Sequence, residues 1–242
     1  MLIMSYQTLV ESFWADAVQH HSPSLQLINP HHDPLLAPLF VDKKHQLDYL
    51  YNPDRSFAIQ LVGSHWWHSE GLHQIARKGG NLQDDGLDTC PFDGRLRRLN
   101  LKASYQFSNC AMGYIPVSKT ANKPFTTDQI DYMRPKKLEE YRSMGTKMVF
   151  ALGKTVLDFH LRGTGIWFGS FAEAVNNGCI SLPCGLVIVP MPHPGALGIM
   201  TYLRMMGRPC DRHAQDAAFI ELIDNAFTAA EVRKTIYQEA VD

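Results

Sequence analysis

The sequence predicts an α/β protein with a four-stranded, mostly parallel central sheet flanked by helices on both faces. Three observations lead there. Apolar or β-branched runs at 57–63, 148–152 and 186–189 are bounded by glycine or proline, as strands buried on both faces are. Stretches with helical spacing separate the strands, giving strand, helix, strand, helix, strand, helix, strand, helix along the chain. A length of 242 residues, 45% apolar and 19% charged, suits one large core with no sign of a second.

Residues 5–20 carry Leu9, Phe13, Trp14 and Val18 on one helical face, with Ser5 as N-cap and Pro23 as the stop. Residues 22–56 are rich in Pro, His and Asp, with one short helix near 43–50, and read as an irregular flap. Residues 1–56 are therefore expected to pack as helix and flap on an α/β domain of residues 57–242. His31, His32 and Asp33 are metal-ligand types, but adjacent residues seldom chelate one ion and no second cluster stands nearby, so no metal is expected.

Residues 57–63 form the first strand, which stops at Gly63, where backbone can approach a ligand. Ser64, His65, Trp66, Trp67, His68, Ser69 and Glu70 follow. Successive side chains of an extended segment face opposite ways, so both tryptophans cannot enter one core. At least one is available to a ligand or a second layer. After a polar loop at 79–86, Cys90-Pro91-Phe92-Asp93-Gly94 leads into a helix carrying Arg95, Arg97, Arg98 and Lys102, a basic face suited to phosphate. Residues 104–112 form the second strand, with Asn109 near its carboxyl end.

Residues 127–144 read as an amphipathic helix with Asp128 in its first turn and Gly145 as its stop. The third strand is 148–152, and Gly153-Lys154-Thr155 opens the next helix. In a phosphate loop ending in that tripeptide, the first glycine would fall at position 148, a methionine, which argues against a nucleotide cofactor. Residues 169–176 form a short helix, 180–190 the fourth strand and 211–227 a closing helix. The fourth strand runs into Pro192-His193-Pro194. Those prolines fix φ on either side of His193 and hold its imidazole at a strand's carboxyl end, where open α/β sheets place ligands. Arg204, Arg208 and Arg212 follow at a spacing of four, which on one helix aligns them along a face.

A net charge of -1 means that any nucleic-acid contact must come from local basic faces. No apolar run approaches the ~18 residues of a membrane span, and the N-terminus lacks the basic-then-apolar order of a signal peptide. A cytoplasmic protein with no membrane partner is expected. The five cysteines, Cys90, Cys110, Cys179, Cys184 and Cys210, include no C-x-x-C pair, which supports neither a disulfide framework nor a zinc ribbon.

The order of these motifs is specific. A strand ending in Gly63, then Pro91-Phe92-Asp93-Gly94 with Leu99, a strand ending in Asn109, Val149-Phe150-Ala151-Leu152-Gly153-Lys154-Thr155, and a strand ending in Pro192-His193-Pro194 resemble the uracil-DNA glycosylase superfamily over residues 57–227. The resemblance implies a monofunctional DNA glycosylase, which flips a base into a pocket at the strands' carboxyl ends and hydrolyses its N-glycosidic bond, leaving an abasic site. It implies that Phe92 stacks on the base and that Asn109 hydrogen-bonds the base edge. His193 would face the base carbonyl that gathers negative charge, where a preorganised donor is worth ~3 kcal/mol. Leu197, Ile199 or Met200 would be the apolar wedge that fills the vacated stack, with Arg204 and Arg208 on the DNA backbone.

The departures are informative. Members of the superfamily follow the first glycine with an acidic residue or asparagine that handles the attacking water, whereas this chain has Ser64 and His65 there, with His68 and Glu70 as further substitutes. The cysteine pair of the iron-sulfur members is absent from the N-terminus, so neither a cluster nor another cofactor is expected. Trp66 and Trp67 offer faces for a sugar ring, while Ser64, His65 and His68 offer donors and acceptors for hydroxyls. The leading substrate is therefore an enlarged pyrimidine, glucosylated 5-hydroxymethylcytosine of phage DNA, in an antiviral role. Uracil excision in base-excision repair and a catalytically silent DNA-binding relative are the alternatives.

Overall fold

A computed structural model describes residue 34 and residues 58–64, 105–110, 125–193 and 196–239. The expected N-terminal helix and flap, the tryptophan pair, the Phe92 motif and the basic helix after it lie outside the described residues. The described elements are β1 (Ile59–Gly63), β2 (Tyr105–Asn109), α1 (Thr127–Ser143), β3 (Met148–Leu152), α2 (Lys154–Leu161), α3 (Phe171–Asn177), β4 (Ile180–Ser181), β5 (Val187–Met191), α4 (Ala196–Met205) and α5 (Arg212–Glu239).

The strands form one sheet in the order β2-β1-β3-β5-β4. The first four are parallel, with Gly63 opposite Asn109, Leu61 opposite Phe150 and Phe150 opposite Val189. β4 runs antiparallel to β5. The expected α/β class with a mostly parallel sheet is present, but the sheet has five strands and not four. The expected single strand over 180–190 is interrupted because Gly185, with φ 82°, reverses the chain after Pro183. Leu182 N–H donates to the Leu186 carbonyl at 2.8 Å and Gly185 N–H to that of Leu182 at 2.9 Å, closing a tight turn that folds β4 back on β5.

Strand alternation divides the core in two. Val62, Val149, Ala151 and Ile188 pack towards α1 and α2, together with Met133, Tyr141, Val156 and Phe159. Leu61, Phe150, Leu152, Val189 and Met191 pack towards α4 and α5, with Ile199, Leu203, Phe219 and Ile223. Helices thus cover both faces; β3 is apolar on each side because both sides are buried, while β1 carries one buried polar residue, Gln60, on the α1 side.

α1 starts at a capping box: Thr126 Oγ1 accepts from Gln129 N–H, and Gln129 Oε1 accepts from Thr126 N–H at 2.9 Å. Its buried stripe is Met133, Lys137, Glu140 and Tyr141, so an ion pair lies where an amphipathic helix normally carries apolar side chains. α5 runs on to Glu239, past the expected end at 227. The wedge candidates Leu197, Ile199 and Met200, which the resemblance places in a loop over 195–200, lie in a helix that starts at Ala196. No described helix is long and apolar enough to cross a membrane.

Candidate functional site at the strand carboxyl edge

Strand order sets the location. The chain steps from β1 to β2 on one side, then returns across β1 to β3 on the other, so the order reverses between β1 and β3. Crevices beyond the carboxyl ends at such a reversal are where open α/β sheets bind ligands. Glycine ends both strands there. Gly63 closes β1, and Gly153, with φ 97°, leaves β3 and donates its N–H to the Met191 carbonyl at 2.8 Å. α2 and α4 begin at this same edge, so both direct helix N-termini towards it.

Asn109 is half-buried at the end of β2, in register with Gly63. A methyl group on Gly63 would lie 2.5 Å from Asn109 Oδ1, so the amide occupies the space that a side chain would fill. The Cys110 N–H donates to the Gly63 carbonyl at 2.9 Å and continues the pairing one residue past the strand. By alternation, Gly63 faces the same side as Leu61, the side covered by α4 and α5, and Asn109, in register with Gly63, faces that side too.

His193 follows Met191 by two residues and emerges on that same side. A methyl group on Gly198 of α4 would overlap the His193 carbonyl oxygen and lie 2.8 Å from its Cβ, so the helix seats directly on the histidine turn. His193 is exposed as a residue, yet protein around the ring removes enough water to push its pKa below the ordinary imidazole value of 6.5. At neutral pH the ring is therefore uncharged, with one N–H to donate. Three strand spacings separate the ends of β2 and β5, about 14 Å of backbone at ~4.8 Å each.

The structure accordingly brings Gly63, Ser64, Asn109 and His193 to one edge, with Ser64 half-buried directly after β1. His65, Trp66, Trp67, His68 and Phe92 lie outside the described residues, and Leu197 falls within α4. Ile199 requires correction. It is 0% exposed within the α4 and α5 core, and a side chain that fills the core does not reach a base stack. Met200 is half-buried.

The arginine row also differs from expectation. Arg204 is exposed on α4, but Gly207, at φ 62°, and Pro209 end that helix, and Arg212 opens α5. Arg208 stands in the turn, paired with Glu221 of α5 at 2.9 Å. The three positions therefore do not lie on one helix.

Sequence reasoning missed Gly198 and Gly153. Their signal was present as a glycine inside the apolar Leu197-Gly198-Ile199 run and another directly after a strand. A cleft of about 300 Å³ elsewhere follows α2 and the 163–171 loop, lined by Leu157, Arg162, Ile166, Trp167 and Phe171. None of the expected site residues lines it. Among the described residues no group of three or more His, Cys, Asp or Glu could hold a metal ion. The described cysteines, Cys110, Cys179, Cys184 and Cys210, are free thiols, while Cys90 lies outside the described residues. No protein-family model matches the chain, and no curated protein matches it either.

Proposed function

We propose that this protein is a monofunctional DNA glycosylase that excises an enlarged pyrimidine, with glucosylated 5-hydroxymethylcytosine of phage DNA as the leading substrate and antiviral defence as the role. One observation carries the reading: an asparagine amide laid over a strand-terminal glycine, on the same edge and side of the sheet as a neutral histidine held by a helix. Asn109 supplies one acceptor and two hydrogens for the edge of a flipped base. His193 supplies a donor to the carbonyl that becomes negative as the bond between the base nitrogen and C1′ breaks. Water then adds to C1′ and gives up a proton, and the departing base takes one. Ser64 and His65 follow Gly63 directly and are the groups proposed to orient that water.

The size of the substrate rests on the residues after Gly63. Trp66, Trp67 and His68 replace the compact residues that a plain uracil pocket requires, and indole faces suit the apolar face of a hexose. The test is abasic-site formation by purified protein on unmodified, uracil-containing, hydroxymethylated and glucosylated DNA. Abasic sites in the glucosylated DNA alone, with selectivity lost in Trp66→Ala and Trp67→Ala, are the expected result. Preference for uracil DNA would restore the repair reading. DNA binding without abasic sites on any substrate would leave a silent relative.

A further inference from the structure

Behind Asn109, on the opposite side of the sheet, lies a chain of buried polar groups that the proposed chemistry does not use. Lys137 and Glu140 of α1 are each 1% exposed and paired at 2.7 Å. Lys137 Nζ donates to Ser108 Oγ at 3.1 Å and lies 5.2 Å from the centre of the Tyr141 ring. Ser108 Oγ donates to Gln60 Oε1 at 2.7 Å. Gln60 Nε2 donates in turn to Thr146 Oγ1 at 3.0 Å and to Met144 Sδ at 3.3 Å. Gln60 is 0% exposed, in a strand whose neighbours are apolar. Bonds from α1 to β2, to β1 and to the turn before β3 are thus made in one continuous line.

We propose that this line is a register lock: Lys137 and Ser108 are positioning residues that fix β2 against β1, so that Asn109 falls opposite Gly63. The effect on catalysis rests on the glycosylase reading above, whereas the effect on register does not. β2 is the last described strand on its side of the sheet, so among the described strands it pairs with β1 alone. Its sequence, Tyr-Gln-Phe-Ser-Asn, alternates aromatic and polar from Tyr105 to Ser108, which sets the two faces but does not by itself exclude a slip of two residues along β1. A slip of two residues would keep every side chain on its face but carry Asn109 away from Gly63.

Directional bonds to Ser108 exclude that slip, because only a hydroxyl there both accepts from the ammonium and donates to Gln60. Stability does not explain the pair. Two charges taken from water seldom do better than apolar residues of equal volume, whereas a buried polar group that specifies register is the best-attested use of such a pair.

The experiment compares Ser108→Thr with Ser108→Val, which have the same shape and differ in the hydroxyl. The first readout is hydrogen exchange of the Cys110 amide, bonded to the Gly63 carbonyl, with the Gly153 amide, bonded to Met191, as an internal reference. Valine is expected to lower protection of Cys110 at least about tenfold relative to threonine while Gly153 is unchanged. On the DNA from which the wild type excises a base, kcat should fall at least about tenfold in the valine variant, with KM within about twofold and threonine near wild type.

A second variant, Lys137→Met with Glu140→Leu, removes the pair without leaving a lone charge. It should melt at or above the wild-type temperature and still lose Cys110 protection. Equal protection in the valine and threonine variants, or wild-type protection in the double variant, would overturn the lock. An inactive wild type would refute the glycosylase reading, and the exchange measurement would still decide the register.

Discussion

A single methyl group tests the site at two glycines. On Gly63 it would meet Asn109 Oδ1 at 2.5 Å, and a side-chain amide can rotate away. Gly63→Ala should therefore fold, with stability within about 1 kcal/mol of wild type, and lose excision at least about tenfold because the amide has moved. On Gly198 the obstacle is the His193 backbone, which cannot rotate away. Gly198→Ala should lower both excision and the melting temperature, with a cost of about 1–3 kcal/mol, as overpacking does. Abasic-site kinetics and thermal melts separate the two cases.

Truncating the polar groups is the direct counterpart. His193→Ala and Asn109→Ala should each slow excision at least about tenfold with little loss of stability, since both side chains stand at the open ends of strands. Wild-type turnover by either would remove that residue from the site. The His193 ring, with its pKa held below 6.5 by desolvation, also predicts a pH profile. A rate that needs the neutral ring should hold as pH falls through 6.5 and decline only further into the acid range. A decline centred at or above 6.5 would mean that His193 does not set it.

At the scale of elements, the seam between α1 and α2 is sensitive to acid. His160 of α2 is 0% exposed, with Nε2 2.8 Å from the Tyr141 hydroxyl and Nδ1 2.7 Å from the Val156 carbonyl. The carbonyl can only accept, so Nδ1 carries the proton, and the tyrosine hydroxyl donates to Nε2. Burial pushes the His160 pKa down to about 3 from 6.5, against the weaker opposing effect of the Val156 carbonyl. Between those two values the unfolded chain holds a proton that the native protein refuses. Stability therefore rises with pH across that window and is lost as pH falls, by at most about 1.4 kcal/mol per pH unit from this group. Urea unfolding from pH 7 to pH 4 should show an acid-side slope shallower by one proton in His160→Gln.

The break between α4 and α5 changes what the arginines can contribute. With Arg208 engaged by Glu221, Arg204 is the exposed cation that α4 offers to a phosphate. DNA affinity should fall with salt at a log-log slope of roughly -0.9 per phosphate neutralised, and Arg204→Ala should reduce that slope by about one contact. Affinity that is flat from low to moderate salt would leave Arg204 as solvated surface.

At the scale of the whole molecule, the parallel arrangement gathers the site. Four strands running the same way bring the ends of β1, β2, β3 and β5 to one edge, although Gly63 and His193 are far apart in the chain. The crossover from β3 to β5 places the N-terminus of α2 there, and α4, which follows the last strand β5, begins there as well. The fifth strand, antiparallel β4, extends the far side of β5 and contributes nothing to that edge.

Local pattern determined much of this. Strand runs of apolar and β-branched residues, each closed by glycine, proline or asparagine, were legible because a strand buried on both faces needs apolar residues throughout its length. β3 was readable at both ends, and His193 could be placed at a strand end from its flanking prolines, whereas the 104–112 run places Asn109 only near the end of a strand that closes at Asn109 itself. Tertiary structure decided what depends on side-chain direction and on distant partners. Ile199 is a core residue because of the face that α4 presents to the sheet, which the Leu-Gly-Ile run does not specify. Lys137 and Glu140 look like solvated helix charges in the sequence. They are buried because α1 lies over Gln60 and Ser108, polar groups that only the sheet brings together. The closeness of Asn109 to Gly63 is of the same kind: it belongs to the register of two strands that meet only in the folded sheet.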